Sequence, residues 1–446
     1  MSQRRHPVPE MLALLRSGRL DVFLDRAPEL EPADLADVLA QLDDETRLEV
    51  VRRLPAEVSA GALVEMPAEA HAEETLAELD PAQAAEIVDE LADDDAADIL
   101  QTMERETQER ILAQVEDRED VDRLLRYDEE TAGGRMTAQV VTALLHDTVS
   151  KTVESVRRQA EVTDDFSQIF VVDQARQLQG VLSFKSLVLN PGDRLVSEVM
   201  EPADLTVAPE TDQEEVARLM ARYNVPAIAV VDHNGKLLGR VTFDDVIDVV
   251  EAETTEDLLR FGGVSADEDL AAPWNTTLQT RLPWLFVNLV TAFLAASVVV
   301  LFQDTLARTL ALTAWMPIVA GLGGNAGTQA LAVTVRRLAL GQIQTNRAMG
   351  VIGKELAVGI FNGLALGLAV GTVAVVTGQG PRLGLVVFLA MACNQCVAGF
   401  AGAFIPLMLQ RLGIDPAVAS SVFVTAFTDM CGFALLLGLA GSLLLR

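Results

Sequence analysis

Five long apolar stretches crowd the C-terminal part of this chain, at residues 284–302, 312–340, 349–377, 383–409 and 417–445. A helix crosses a bilayer in about 20 such residues, and hydrocarbon offers no water to satisfy a backbone amide. The five stretches therefore predict a helical membrane domain, and an odd number puts its two ends on opposite faces. With the N-terminus inside, the inner side receives Arg281, Arg336, Arg337, Arg347, Lys354 and Arg411, and the outer side Arg308, Arg382 and Arg446. That asymmetry follows the positive-inside rule and predicts a cytoplasmic N-terminal half on a multi-pass protein of the cell (inner) membrane. Residues 1–10 are polar and contain proline, with no apolar core of a cleaved signal, so none is expected.

The formal charge is −31, yet from Arg281 onward nine Lys/Arg stand against four Asp/Glu. The whole acidic excess thus lies in the first 280 residues. So acidic a surface excludes nucleic acid as the main partner, because phosphate binding needs a basic one. The three cysteines, Cys393, Cys396 and Cys431, lie in the apolar part and read as small packing residues rather than a disulfide framework or zinc site. A Walker loop, a nucleophile–base pair and a Cys/His cluster are all missing, so the sequence does not read as an enzyme.

Leu42, Leu54, Met66, Leu79, Leu91, Met103 and Val115 recur about every twelve residues, often just ahead of Pro or Asp. Each unit predicts one short helix with proline in its first turn, and a stack of such units is an α-solenoid. Its outward acids, Glu73, Glu74, Asp89, Glu90, Asp93, Asp94, Asp95 and Asp98, repel one another unless cations screen them.

From about Thr131 strands alternate with helices. Residues 169–173 and 227–232 predict strands ending in turns at Gln179-Gly180 and Asn234-Gly235, each followed by a short strand, 181–183 or 240–242, and a helix. The duplicated order resembles a tandem pair of CBS modules. In that family a Ser/Thr-x-x-Asp after the last strand often holds the ribose of an adenine nucleotide such as ATP. Thr242 and Asp245 match it in the second copy, whereas the first copy has Ser183 with Ser186 in place of the acid. A dimerising module with no nucleotide is the alternative. The acidic segment from Asp244 to Phe261 then predicts a helix ended by Gly262-Gly263, linking these modules to the first span.

Two membrane motifs carry the chemistry. In Pro317-Ile318-Val319-Ala320-Gly321-Leu322-Gly323-Gly324-Asn325-Ala326-Gly327-Thr328-Gln329, four glycines and a proline predict a broken helix. Its freed carbonyls would join the Asn325, Thr328 and Gln329 side chains as oxygen ligands. In Thr425-Ala426-Phe427-Thr428-Asp429-Met430-Cys431-Gly432, Asp429 reads as the only carboxylate well inside a span, a costly group unless it serves a pathway or a partner. Ser421 and Thr425 precede it by eight and four residues, on the same helix face. With no histidine in the membrane part, oxygen ligands and few charges suit Mg²⁺, which is readily recognised while hydrated.

At these residues the chain resembles the MgtE family of magnesium channels and transporters over nearly its whole length. The resemblance implies a multi-domain integral membrane protein with four parts. They are an α-helical superhelical N-domain (1–130), an α/β tandem CBS pair (131–250, copies 131–195 and 196–250), a connecting or plug helix (244–270), and a transmembrane domain of five helices (271–446). It further implies a homodimer with the ion path between the two membrane domains. Asp429 is then the main pore carboxylate for hydrated Mg²⁺, and the carbonyls of Gly321 and Gly324 line the path with Asn325, Thr328, Ser421 and Thr425. Family members often carry Asn where this chain has Thr328, and Asn-Pro or a similar pair where it has Ser421-Val422.

The same resemblance makes the cytoplasmic acids a magnesium sensor. Asp94, Asp95 and Asp98 of the N-domain, Asp245, Asp248, Glu253, Glu256 and Asp257 on and near the plug, and Asp415 before the last span would be bridged by Mg²⁺, closing the pore. At low Mg²⁺, like-charge repulsion would separate them and open it. Capping of the last helix is the structural alternative for Asp415. Two other functions fit the residues: a proton- or sodium-coupled carrier of divalent cations (Mg²⁺ or Co²⁺) with Asp429 as a relay, and a membrane-anchored nucleotide sensor.

Overall fold

A computed structural model describes residues 7–67, 70–116, 118–160, 166–265, 273–340, 342–343 and 348–445. The chain divides into two compact units, Met1–Glu251 and Ala252–Arg446. Arg347, Arg446 and the end of the expected 244–270 connecting segment lie outside the described residues.

The first unit begins with short helices: α1 (Val8–Arg16), α2 (Leu20–Arg26), α3 (Pro32–Leu39), α4 (Asp44–Arg53), α5 (Ala56–Val64), α6 (Ala72–Ala77), α7 (Pro81–Val88), α8 (Asp93–Gln101), α9 (Arg105–Leu112) and α10 (Arg118–Leu124). Alternate helices pack as neighbours, α3 on α5, α5 on α7 and α7 on α9, as in a solenoid. The twelve-residue repeat marks the turns between them. Leu54, Met66, Leu79 and Val115 are buried, and Leu42, Leu91 and Met103 pack against the same core. Pro32 and Pro81 sit in first turns, where the missing amide costs nothing, and the Asp80 side chain caps α7 through the amide of Ala82.

The duplication is realised as β1 (Thr142–Leu144), α11 (Val149–Gln159), β2 (Gln168–Val172), β3 (Leu178–Ser183) and α12 (Phe184–Leu189). After the short α13 (Val196–Val199) and β4 (Glu201–Pro202) comes the second copy, β5 (Thr206–Val207), α14 (Gln213–Tyr223), β6 (Ala227–Val231), β7 (Leu237–Thr242) and α15 (Phe243–Phe261). In each copy the first strand is parallel to the second, which is antiparallel to the third. The Asn234-Gly235 turn is present, with Gly235 at φ +77°. The turn expected at Gln179-Gly180 is not: it falls between Asp173 and Gln177, and Gly180 lies inside β3. A close approach explains this glycine, because a Cβ on Gly180 would stand 2.6 Å from the carbonyl of Glu201 and 2.7 Å from the Met200 sulfur. Gly239 repeats the arrangement against the Thr137 carbonyl and the Met136 sulfur, at 2.5 and 2.9 Å. Each copy thus lends an edge to the other's sheet, β4 to β3 and Thr137 to Arg240. Across position 195/196, Val196 and Val199 of α13 pack in the core of the first copy and β4 pairs with β3.

The second unit contains five helices long and apolar enough to cross a membrane among the described residues: α16 (Trp274–Leu301), α18 (Leu312–Ala339), α19 (Ala348–Ala374), α20 (Pro381–Arg411) and α21 (Pro416–Leu443), with the short α17 (Gln303–Arg308) after the first. The expected break in α18 is not present; Pro317 and the glycines lie inside one continuous helix. Side-chain amides of α20 support it. Asn394 Nδ2 donates to the Val319 carbonyl at 3.0 Å and Gln395 Nε2 to the Leu322 carbonyl at 3.1 Å. Two of its glycines serve packing: a Cβ on Gly327 would reach 2.6 Å from a Val424 methyl, and one on Gly323 would meet Asn394 Nδ2 at 2.1 Å, whereas Gly321 has open space beside it.

The tightest seam runs between α19 and α20. Gly359, Gly363, Gly367 and Gly371 recur at four-residue spacing, so they share one helix face. Added Cβ atoms there would lie 2.5, 2.6, 2.8 and 2.9 Å from carbonyls of Gln395, Ala392, Phe388 and Gly384. Small residues that let two backbones touch are a means of helix association in lipid, where apolar burial supplies no drive.

Candidate functional sites

The first unit holds an acidic cavity of about 720 Å³, lined among others by Asp89, Asp94, Asp95, Arg240, Thr242 and Asp245. The opening turn of α8 supplies Asp93, Asp94 and Asp95, an arrangement that the positive end of a helix dipole favours. Asp94 is buried, and its Oδ1 has no hydrogen-bond partner; the same holds for Oδ1 of Asp98, whose Oδ2 accepts from Arg135 Nη1.

Burial raises these acids. Asp94 is pushed well above the ordinary carboxylate range by desolvation and then by Asp245 and Asp95. Asp95 is pushed to about 7 by desolvation, Asp245 and Asp98. Asp98 reaches about 6, because desolvation and Glu129 outweigh Arg135. Asp245 is raised by desolvation although Thr242 donates to its Oδ2 from both the hydroxyl, at 2.5 Å, and the amide, at 3.2 Å.

Carboxylates whose proton affinity is raised by desolvation and by neighbouring carboxylates are suited to bind a cation. Among the described residues no three Asp, Glu, His or Cys side chains are arranged to hold a metal ion directly. A Mg²⁺ here would keep much of its water and be held through it, as this ion commonly is. The candidate nucleotide residues Thr242 and Asp245 line the same cavity. In the first copy Ser183 Oγ instead accepts from the Ser186 amide at 3.2 Å and offers no acid.

Asp248 is exposed and Glu253 half-buried on α15. The end of that helix belongs to the second unit. Gly262 and Gly263 close it as expected, with Gly263 at φ +76° and a notional Cβ 2.5 Å from Trp284 Nε1. Asp257 is half-buried and raised by desolvation and then by Asp415. Sequence reasoning missed Arg260, whose guanidinium bonds Glu256 and also Asp415, the latter at 2.5 Å. Its four-residue spacing from Glu256 was the available signal.

In the membrane-spanning part, Ser421, Thr425 and Asp429 fall on one face of α21, with Thr425 exposed and the other two half-buried. Asp429 has no hydrogen-bond or ion-pair partner among the described residues. Gly324 of α18 faces this helix, its notional Cβ 3.8 Å from the Thr425 methyl and 4.0 Å from the Thr428 hydroxyl. Gly321 and Asn325, one turn apart on α18, are exposed, and Thr328 is half-buried. Because α18 is unbroken, the Gly321 and Gly324 carbonyls are not freed as expected; the side chains of Asn325, Thr425 and Asp429 are the available oxygens. Asp429 is also not the only carboxylate well inside a span, since Glu355 is buried in α19 at 7% exposure.

Residues 316–439 match the MgtE family model, described as a divalent cation transporter, and residues 30–130 the MgtE intracellular N domain. Residues 196–252 match the CBS domain. Magnesium transporter MgtE of Thermus thermophilus is 37% identical over 331 residues, covering 73% of this chain and 73% of that protein. The chain belongs to the MgtE family. The MgtE of Enterococcus faecalis is 34% identical over 311 residues, 70% of this chain and 68% of that protein. Among solved structures, the cytosolic domain of the Mg²⁺ channel MgtE in complex with ATP is 35% identical. It covers 54% of this chain and 98% of its own, with a TM-score of 0.50. The soluble part of a magnesium transporter is 28% identical at the same TM-score, over 55% and 97% of the two chains. This MgtE family member is therefore a multi-pass membrane protein with an acidic helical N-domain and a CBS region.

Proposed function

We infer that this chain transports Mg²⁺ across the membrane, and we propose that it does so as a channel gated from the cytoplasmic side. The observation that carries the pore assignment is Asp429, a carboxylate in the middle of a membrane helix with no protein cation beside it among the described residues. Such a group is costly in hydrocarbon and belongs on an ion pathway. Thr425, Gly321 and Asn325 are exposed in the single chain, and a polar face of this kind is poorly suited to lipid. Against a second copy of itself it forms an enclosed oxygen-lined path, so the pore lies at the interface of a homodimer. Hydrated Mg²⁺ passes between two Asp429 carboxylates, held through its water shell, with Ser421, Thr425, Asn325 and Thr328 along the way.

The gate works by charge. The buried Asp94 and the half-buried Asp95, Asp98 and Asp245, together with Asp248, Glu253, Glu256, Asp257 and Asp415, are neutralised by Mg²⁺ when the ion is abundant, which holds the N-domain, CBS pair and connecting helix in the closed arrangement. At low Mg²⁺ their repulsion favours the open one. An adenine nucleotide such as ATP would use the cavity bearing Thr242 and Asp245. The protein sits in the cell (inner) membrane with its N-terminus cytoplasmic, consistent with its positive-inside asymmetry.

Inside-out patch recording, with cytoplasmic-side Mg²⁺ stepped from micromolar to millimolar levels, tests this. A Mg²⁺ current that high Mg²⁺ shuts in the wild type, and that Asp429→Ala abolishes, is expected. Current that survives Asp429→Ala sinks the pore assignment, and current indifferent to internal Mg²⁺ sinks the gate.

A further inference from the structure

We propose that the membrane unit contains a second cation site, distinct from Asp429. It is a chamber between α18, α19 and α20 that takes a partly hydrated divalent cation on the Glu355 carboxylate and the Gln395 side-chain oxygen. The inference builds on the reading of the chain as a Mg²⁺ transporter.

The chamber has a volume of about 260 Å³ and is lined among others by Gln329, Lys354, Glu355, Asn362, Gln395 and Gly399. At roughly 30 Å³ per water it has room for an ion and about six waters. Its walls follow from the glycine seam. A Cβ on Gly399 would stand 2.4 Å from the Glu355 carbonyl, and one on Gly359 would stand 2.5 Å from the Gln395 carbonyl. The α19 and α20 backbones therefore touch at the level of both polar residues, and a chamber of mixed lining opens where α18 closes over them.

Two acceptors in it lack what they need. Gln395 is fully buried, and its Nε2 is committed to the Leu322 carbonyl at 3.1 Å. Flipping the amide would set oxygen against oxygen, so the orientation is fixed, and Gln395 Oε1 is left buried with no hydrogen-bond partner. Such an orphaned acceptor costs about 1–3 kcal/mol unless something fills the space beside it. Glu355 is buried too, and its one ion pair among the described residues is with Lys354, 3.8 Å away, whose side chain is 61% exposed. Among the described residues no hydrogen bond reaches the carboxylate. A buried carboxylate with one distant, exposed counter-ion, in a chamber also walled by an amide whose oxygen has no donor, is suited to accept a hydrated cation.

Position makes such a site useful. At 1.5 Å per residue, Glu355 lies about 10 Å into α19 and Asp429 about 20 Å into α21. Helices α19 and α21 are the third and fifth spans and start from the same face. An ion at Glu355 therefore rests at a shallower depth than Asp429, on the side from which both helices begin.

The test counts Mn²⁺ bound to the full-length protein in nanodiscs by equilibrium dialysis, with Mg²⁺ flux measured in parallel. Glu355→Gln is expected to bind one Mn²⁺ fewer per chain, whereas Asp429→Ala retains the Glu355 ion. Lys354→Met, which removes the competing charge, should tighten that ion roughly threefold or more. Gln395→Leu should weaken it by a similar factor. Unchanged Mn²⁺ stoichiometry in Glu355→Gln overturns the proposal. So does loss of the ion in Lys354→Met as in Glu355→Gln, because Glu355 would then be a structural ion-pair partner. Unaltered flux in Asp429→Ala would overturn the pore assignment instead and leave the Mn²⁺ count at Glu355 to be read by itself.

Discussion

The Asn394 side-chain amide donates to the Val319 main-chain carbonyl at 3.0 Å, tying α20 to α18 inside the apolar layer. It has room to do so because two neighbouring positions are glycine: a Cβ on Gly323 would lie 2.1 Å from Asn394 Nδ2, and one on Gly432 2.9 Å away. Gly432 is less than one turn beyond Asp429, so this amide also positions the stretch of α21 that bears the carboxylate.

Gly323→Ala is accordingly expected to destabilise the membrane unit by about 1–3 kcal/mol, the usual cost of overpacking. Thermal unfolding of the detergent-solubilised protein should show a lower midpoint. Combining it with Asn394→Ala, which removes the clashing amide, should recover part of the loss. A Gly323→Ala protein as stable as the wild type would mean that the amide moves aside freely.

Asp429→Asn keeps the size of the side chain and removes its charge. Mg²⁺ flux into proteoliposomes should fall more than tenfold while the protein still folds as judged by size-exclusion chromatography, because a neutral amide has no coulombic hold on a hydrated dication. Retained flux would place the selective carboxylate elsewhere.

The acidic cavity predicts a pH dependence of definite sign. Asp94, Asp95, Asp98 and Asp245 bind their protons more tightly in the folded, cation-free protein than in the unfolded chain. Folding therefore takes up protons between the ordinary carboxylate value of 3.8 and the value of about 7 reached by Asp95, and stability is lost as pH rises through that window. Hydrogen exchange of α8 amides without divalent cations should speed up from pH 5 to pH 8, after correction for the intrinsic exchange rate. Millimolar Mg²⁺ should flatten the trend, since a bound cation replaces the protons. A pH-independent protection, or one that Mg²⁺ leaves unchanged, would contradict a cation-binding role for the cluster.

Arg260 joins Glu256 of the connecting helix to Asp415 at the start of the last span. Replacing it with Gln leaves Glu256, Asp257 and Asp415 without this protein cation, and repulsion should favour the open state at micromolar Mg²⁺. The groups are partly solvated, so an effect of about twofold to fivefold in open probability is expected, within what such pairs usually contribute. Single-channel recording checks it, and an unchanged open probability would show that Arg260 bears no load in the gate.

Much of this architecture was legible along the chain because its determinants are local. The twelve-residue spacing of Leu54, Met66 and Leu79 is the spacing of solenoid turns. Asn234-Gly235 is a turn because residue 235 needs a positive φ. Asp429 stands out because one carboxylate among apolar neighbours is costly wherever the helix goes. Two local inferences failed for a common reason. Glycine is permissive in isolation, so Gly180 suggests a turn and the α18 glycines a break; in the fold Gly180 answers the close approach of Glu201, Gly323 that of Asn394 and Gly327 that of Val424.

The sequence by itself determined that the chain crosses the membrane five times and that an acidic solenoid and a duplicated α/β module precede the spans. Those properties follow from length, hydropathy and charge, which need no partner to be expressed. Only the tertiary structure decided which acids share one cavity, that Arg260 reaches Asp415, that α18 stays whole, and that Glu355 and Gln395 face a common chamber. Each of these depends on close approaches between residues far apart in the chain, and the energies that set them, desolvation and close packing, exist only once the helices have come together.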